Sequence, residues 1–280
     1  MPKPDPQRLA QWTGLAREIR LEIVNNVHSA QGGHIGGSLS AVELMIALYF
    51  QVLKIDPERP LWEDRDRFVL SKGHASIGLY TVMAKRGYFT SDEVCSFDHC
   101  GSRMQAHPCM VVTPGVDMST GSLGQGLSAG AGLALGARLL GRDFRTFVMI
   151  GDGEAQEGQI WECAMMASDY GLDNLVGIMD YNKVQLYGHQ KPVPRPPLRD
   201  PRAKFEAFGW EVLETDGHDF QAIIQACDQA AQVKGRPTMI IAETVKGKGV
   251  SFMEGTFEWH AKVPSDEERR RAVAELEKGA

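Results

Sequence analysis

RTFVMIGDGEAQEGQIWECAMMASDYGLDNLVGIMDYNKV, residues 145–184, is the stretch that decides the fold. Its first apolar run, TFVMI, stops at Gly151, Asp152 and Gly153; its second, LVGIM, stops at Asp180, Tyr181 and Asn182. Between them lies a segment with helical spacing, so the stretch reads as strand, turn, helix, strand. In an open parallel sheet ligands bind outside the carboxyl ends of the strands, which is where Asp152 and Asn182 would meet. Asp152 and Asn182 are 182 − 152 = 30 positions apart. That separation suits a helical crossover between parallel strands, which needs roughly 30 residues.

The rest of the chain repeats the pattern. Leu9, Trp12, Leu15, Ile19, Ile23 and Val27 recur at helical spacing, predicting a helix over residues 7–29 with one buried face. AQGGHIGGS, residues 30–38, reads as a loop whose glycines let backbone approach something closely, followed by a helix over 39–53. RFVLS, residues 67–71, is a strand that delivers Lys72, Gly73 and His74 to its end before a helix over 77–86. Residues 87–119 lack periodicity and form a long connection, a feature often functional in compact domains. STGSLGQGLSAGAGLALGARLL, residues 119–140, is a glycine-rich turn entering a small-residue helix. Gly124, Gly126 and Gly130 miss the GxGxxG dinucleotide fingerprint by one residue and suit close packing against a neighbour.

After residue 184, YGHQKPVPRPPLRDPR reads as a surface connection or a loop that meets a partner or substrate. Regular pattern resumes with a helix over 203–208, a strand over 211–214, a polar turn over 215–218, a helix to about 233 and a strand over 238–242. A charged helix over 266–278 closes the chain. Alternation of strands and helices predicts an α/β fold, a doubly wound and mostly parallel sheet with helices on both faces. No repeat or linker divides the chain, so residues 1–280 are expected to form a single domain.

Composition bounds the partners. The chain has 280 residues, 43% hydrophobic and 24% charged, ordinary values for a globular protein with an extensive core. A net charge of −6 and a pI near 5.8 argue against a nucleic-acid partner. The N-terminus lacks a signal-peptide core and no apolar run is long enough to cross a membrane, so a cytoplasmic protein is expected. Cys95, Cys100, Cys109, Cys163 and Cys227 form no CxxC pair, and their spacing with His99 and His107 fits no usual zinc pattern; buried or partly buried thiols are expected.

One carboxylate and one amide oxygen at adjacent strand ends form a modest set of hard donors. That suits Mg²⁺, with Ca²⁺ or Mn²⁺ as substitutes, because Mg²⁺ takes few protein ligands plus phosphate and water. The glycines flanking Asp152 and the helix that follows would admit a diphosphate. Taken alone, GDG is equally a plain turn.

Longer motifs go further. GGHIGGSLS (32–40), FVLSKGHAS (68–76), RMQAHP (103–108), TPGVDMSTGSLGQGLS (113–128), KFEAFGW (204–210) and VKGKGVSF (245–252) resemble those of transketolases, in order, over residues 12–264. The GDG stretch with its later Asn resembles the thiamine-diphosphate motif. The resemblance implies that Asp152, Asn182 and the carbonyl of Val184 hold the metal. It implies that His74, Gly121, Ser122, Leu123 and Gly153 join Asp152 and Asn182 in contacting thiamine diphosphate. It further implies that His34, His107 and His260 line a ketose channel, and that Glu157 faces its twin across a dimer.

Two departures stand out: Lys183 occupies a position where many members have glycine, and residues 191–199 are unusually rich in Pro and Arg. Full-length transketolases continue into a pyrimidine-binding domain and a C-terminal domain. In this superfamily the glutamate that activates the cofactor lies in the pyrimidine domain. The resemblance therefore implies one subunit of a split, α2β2 transketolase that transfers a two-carbon ketol unit between sugars or sugar phosphates. Other two-subunit thiamine-diphosphate enzymes, such as the first component of a 2-oxo-acid dehydrogenase or a deoxyxylulose-phosphate-synthase relative, are alternatives, as is a non-catalytic cofactor-binding protein. GGHIGG and TPGVDMSTGSLGQG favour transketolase.

Overall fold

In the computed structural model residues 4–186 and 198–279 are described; most of the Pro/Arg-rich loop, residues 191–197, lies outside them. Helix α1 (Pro6–Ala30) is capped by Asp5, whose carboxylate accepts the Arg8 N–H at 2.8 Å, with proline at its first turn. Helices α2 (Ile35–Ser40) and α3 (Val42–Ala47) follow, and α3 runs on into a single π turn, Leu48–Val52. Strand β1 (Arg67–Leu70) leads to α4 (Ser76–Arg86), a one-turn α5 (Ser91–Val94) and α6 (Gln125–Leu139). Then come β2 (Thr146–Gly151), α7 (Gly158–Asp169), β3 (Leu175–Tyr181), α8 (Pro201–Ala207), β4 (Glu211–Asp216), α9 (Phe220–Ala230), β5 (Thr238–Glu243) and α10 (Asp266–Lys278).

All five strands are parallel, in the order β1-β2-β3-β5-β4. The order explains the layers. Steps from β1 to β2, β2 to β3 and β3 towards β4 run one way across the sheet, while β4 to β5 steps back. Right-handed crossovers then send α6, α7 and α8 to one face and α9 to the other. The side chains agree: Val148 and Ile150 of β2 pack with Leu127, Ile160, Cys163 and Phe205 of α6, α7 and α8. Phe147 and Met149 turn the opposite way, into a core with Ile19, Leu44, Tyr80 and Ile224 from α1, α3, α4 and α9. A strand covered on both faces needs an unbroken apolar run, which is why residues 146–150 and 175–179 show no polar alternation.

Three expectations change. The glycine-rich segment 30–38 is a loop only as far as His34; Ile35 onward is helical, and the expected helix over 39–53 is broken at Ala41. Its glycines still serve close approach, since a Cβ on Gly36 would lie 2.6 Å from the Trp259 carbonyl and one on Gly37 3.3 Å from His74 Nε2. Strand β4 runs through Asp216, two residues into the expected turn, because Asp216 still pairs with Glu243 of β5. Of the cysteines, Cys163 and Cys227 are buried, but Cys95 and Cys100 are exposed because they sit in surface turns after α5. Among the described residues no group of three or more His, Cys, Asp and Glu is placed to hold a metal ion.

The close packing expected of the small-residue helix is present. A Cβ on Gly126 would fall 2.4 Å from Ser71 Oγ, and one on Gly130 2.2 Å from a methyl of Val148, so α6 presses directly on β1 and β2. Among the described residues no helix is long and apolar enough to cross a membrane.

Candidate active site

Strands β2 and β3 are neighbours in register, with Gly151 opposite Asp180, so the two polar turns after them emerge side by side. Asp152 is buried, and its carboxylate accepts the Lys183 N–H at 2.5 Å and the Gly153 N–H at 2.8 Å. Asn182, also buried, donates its amide N–H to Asp180 at 3.2 Å, and its Oδ1 accepts the Val184 N–H at 3.1 Å. The turn between them forces Lys183 to φ +64°. That left-handed conformation explains why glycine suits this position and why lysine there is a departure. Lys183 has compensation: its ammonium pairs with Glu243 at 3.0 Å and lies 5.1 Å from the Tyr181 ring centre.

Behind these turns Asp180 is wholly inaccessible and accepts from Lys72 Nζ, the Thr244 hydroxyl and, at 2.7 Å, the Ser40 hydroxyl. Burial pushes the Asp180 carboxyl up, but the charge and hydrogen bond of Lys72 outweigh it and hold the group below the usual range. Asp152 has no cation hydrogen-bonded to it: burial first, then the neighbouring Asp180 charge, outweigh its backbone hydrogen bonds and the Lys246 charge and push it up to about 6. Lys246 is buried opposite; burial and the Lys72 charge pull it down to about 8. Its ammonium donates to the Val184 carbonyl at 3.4 Å and contacts His260 Nδ1 at 2.9 Å.

Four histidines from distant segments close the site. His34 precedes α2, His74 lies in a 3₁₀ turn after β1, His107 in the long connection, and His260 in a 3₁₀ turn beyond β5. The ring centroid of His34 is 5.2 Å from that of His74, 6.0 Å from that of His107 and 5.2 Å from that of His260; His74 and His260 are 5.1 Å apart. Burial, then the nearby cations and other imidazoles, holds His260 down to about 3 and His74 well below the usual imidazole value. His34 is lowered by burial, then by His107 and Lys246. These three rings are therefore neutral at pH 7, and His34 Nδ1 is buried with no hydrogen-bond partner.

The residues implied by the sequence come together. A cavity of about 550 Å³ is lined by His74, Leu123, Asp152, Gly153, Glu157, Asn182, Val184 and His260, with His34 and His107 adjoining through the ring contacts above. Gly121 packs on His107, where a Cβ would lie 3.1 Å from Cδ2, and Ser122 next to it is exposed. A larger crevice of about 940 Å³ beyond β4 and β5 contains neither Asp152 nor any of the four clustered histidines. Sequence reasoning missed Lys246 and the pairing of Lys72 with Asp180. It also missed Glu154, a buried carboxylate that accepts the Gly124 N–H at 2.9 Å, the Gly151 N–H at 3.0 Å and the Ser71 hydroxyl, tying α6 to the ends of β1 and β2. The signal available was position: Lys72 and Asp180 both stand at strand ends.

The oxygen donors fit a divalent cation. Asp152 is a buried carboxylate without a cationic hydrogen-bond partner, Asn182 Oδ1 meets only a backbone N–H, and the Val184 carbonyl is held by an ammonium that burial disfavours.

Comparison with known proteins decides the family. Residues 13–276 match the thiamine diphosphate binding domain of transketolase. The chain belongs to the transketolase family. It is 44% identical over 271 residues to a 6-deoxy-6-sulfo-D-fructose transketolase subunit of Clostridium sp. (strain MSTE9), covering 96% of both chains. It is 40% identical to one of the apulose-4-phosphate transketolase subunits of Phocaeicola vulgatus, covering 92% of this chain and 90% of that one. A mutant transketolase of Pichia stipitis superposes with a TM-score of 0.89 at 30% identity, over 96% of this chain but only 41% of that one. The transketolase domain thus has the size of the two subunit relatives and less than half that of the solved transketolase.

Proposed function

We propose that this chain is the thiamine-diphosphate- and Mg²⁺-binding subunit of a two-subunit transketolase, acting in the cytoplasm as an α2β2 assembly with a pyrimidine-binding partner. The observation that carries the proposal is the juxtaposition, in one cavity, of the Asp152–Asn182–Val184 donor set with His74 and His260, which His34 and, through it, His107 adjoin.

Asp152, Asn182 and the Val184 carbonyl would hold the metal, and the Gly153 N–H would meet the diphosphate once released from Asp152. Metal binding relieves the cost of burying the Asp152 carboxylate beside Asp180. Lys246, which lines the same cavity, would face the diphosphate with a positive charge, while the charge of Lys72 is paired with Asp180. Thiamine diphosphate, when bound, supplies the nucleophilic carbon that breaks the bond next to the ketose carbonyl. His34, His107 and His260 serve the sugar hydroxyls. A neutral imidazole can both accept and donate a proton, and the free Nδ1 of His34 is a ready acceptor. Lys246 donates to His260 Nδ1, which leaves the proton of that neutral ring on Nε2, available to donate to a hydroxyl.

The half-site reading also accounts for an exposed face. Gly132, Gly136 and Gly158 have nothing within 4 Å of where a Cβ would stand, and Leu123, Leu139, Leu140, Met165 and Tyr170 are exposed around them. Glu157, next to Gly158 in the chain, lines the cavity. This surface suits the contact with a second subunit.

The test uses the purified chain with and without the subunit that co-purifies with it. Thiamine diphosphate with Mg²⁺ should raise the thermal midpoint of the assembly, EDTA should remove the rise, and ketol transfer from a panel of ketoses should require both subunits. Full turnover by the isolated chain would sink the split-enzyme reading, and decarboxylation of 2-oxo acids would transfer the chain to a different reaction class.

A further inference from the structure

His218 lies outside the cavity, in the turn between β4 and α9, and none of the roles above uses it. Its surroundings are nevertheless specific. The Val245 N–H donates to its Nε2 at 2.9 Å, so Nε2 is the acceptor and Nδ1 carries the proton. That Nδ1–H donates to Glu43 Oε2 at 3.0 Å. Glu43 is in turn gripped by both terminal nitrogens of Arg20, each at 2.7 Å. The side chains of Arg20, Glu43 and His218 are 7%, 9% and 15% exposed, so little water can substitute for any of these contacts.

The Val245 N–H explains what the imidazole replaces. Along a strand, successive N–H groups point to alternate neighbours. Thr244 N–H points to β3, where it reaches the Tyr181 carbonyl at 3.3 Å, so Val245 N–H points towards β4. Strand β4 has already ended; its last ladder contact is the Gly217 N–H on the Glu243 carbonyl at 2.8 Å. The His218 ring therefore prolongs the β4–β5 ladder by one hydrogen bond, and the next residue is Lys246. Lys246 is 3% exposed, and its ammonium reaches Val184 and His260 inside the cavity.

We infer that His218 is a positioning residue: braced by Glu43 and Arg20, it holds the Val245–Lys246 turn so that Lys246 faces the diphosphate end of the cavity. The inference rests on the reading of that cavity as a thiamine diphosphate site. Two substitutions separate positioning from packing. In His218→Gln the amide oxygen falls where Nε2 stands and can accept from Val245, whereas in His218→Asn the amide can reach Glu43 but not Val245.

The experiment measures thiamine diphosphate binding by calorimetry at saturating Mg²⁺ on the assembly recovered from its source, the unliganded thermal midpoint, and amide exchange at Val245. His218→Asn should weaken cofactor binding about fivefold to tenfold, the effect of one hydrogen bond of ordinary strength. It should also speed exchange at Val245 while leaving the unliganded midpoint close to wild type. His218→Gln should restore binding to within about threefold, since it keeps the single acceptor contact that matters. Wild-type affinity in His218→Asn, or an equal loss in both variants, overturns the inference while leaving the cofactor site intact. A loss that merely follows the fall in thermal midpoint does the same. Failure of the wild-type assembly to bind thiamine diphosphate overturns the reading of the site and this inference with it.

Discussion

At the scale of the residue, Asp152 shows how a site can oppose the stability of its own fold. Its carboxyl is raised to about 6 by burial and by Asp180, against 3.8 for the free group. A raised carboxylate costs stability once it ionises. The cost is absent below pH 3.8, where both states hold the proton; it builds up between 3.8 and about 6, where only the unfolded chain has released it, and is complete above that, on the order of 2–3 kcal/mol. Asp152→Asn should therefore raise the thermal midpoint of the unliganded chain at pH 8, with the gain disappearing near pH 4. The same change should abolish the stabilisation given by Mg²⁺ and thiamine diphosphate. Calorimetric scans at both pH values check the prediction, and an unliganded variant less stable than wild type at pH 8 would refute it. The residue itself was legible in the sequence, because a GDG tripeptide at the end of an apolar run is a local pattern. Its altered acidity was not, because Asp180 becomes its neighbour only through the pairing of β2 with β3.

At the scale of the element, α6 carries glycines of two kinds. Gly130 is required by packing, since a Cβ there would lie 2.2 Å from Val148, and Gly130→Ala should cost about 2 kcal/mol in the isolated chain. Gly132 and Gly136 face open space. Each replacement by alanine should stabilise the isolated chain by roughly 1 kcal/mol through helix propensity alone. The paired change Gly132→Ala and Gly136→Ala should nevertheless weaken association with the partner subunit, as read by denaturant melts together with co-elution on gel filtration. Stabilisation with undiminished association would remove these glycines from the interface. The sequence signalled that small residues line this helix. It could not say which of them press on the sheet, because helical period gives an angle and not the identity of the neighbour. The segment 30–38 was misread for the same reason: four glycines look like a loop, yet Gly36 and Gly37 are helical residues admitted only because Trp259, Lys246 and His74 crowd them.

At the scale of the whole molecule, Arg20, Glu43 and His218 bind α1, α3 and the turn before α9 into one unit. Burial pushes the Glu43 carboxyl up, but Arg20 and His218 more than offset it and bring it down to about 2, from 4.5 for the free group. A depressed carboxylate contributes its full stability above pH 4.5 and loses it as the pH falls towards 2, a change of about 3 kcal/mol. Glu43→Gln should cost about 3–5 kcal/mol at pH 7, because it leaves Arg20 buried without its counter-charge. It should also flatten the fall in stability between pH 4.5 and pH 2. Urea melts across that range provide the check, and an unchanged acid limb would show that the triad does not govern it.

The sequence by itself determined the alternation of strands and helices, the parallel sheet, and the polar turns that deliver Asp152, Asn182 and His74 to one edge. Those features are written in local periodicity and in where apolar runs stop. It also carried the transketolase motifs, including His34, His107 and His260. Only the tertiary structure decided that four histidines separated by up to 226 positions (260 − 34) cluster, with the rings of His74, His107 and His260 each 5.2–6.0 Å from that of His34. It alone decided that Lys72 pairs with Asp180 while no cation hydrogen-bonds to Asp152, and that an imidazole prolongs the sheet next to Lys246. The reason is physical: desolvation and charge pairing depend on which groups share a buried volume, and the crossovers of the chain bring those groups together.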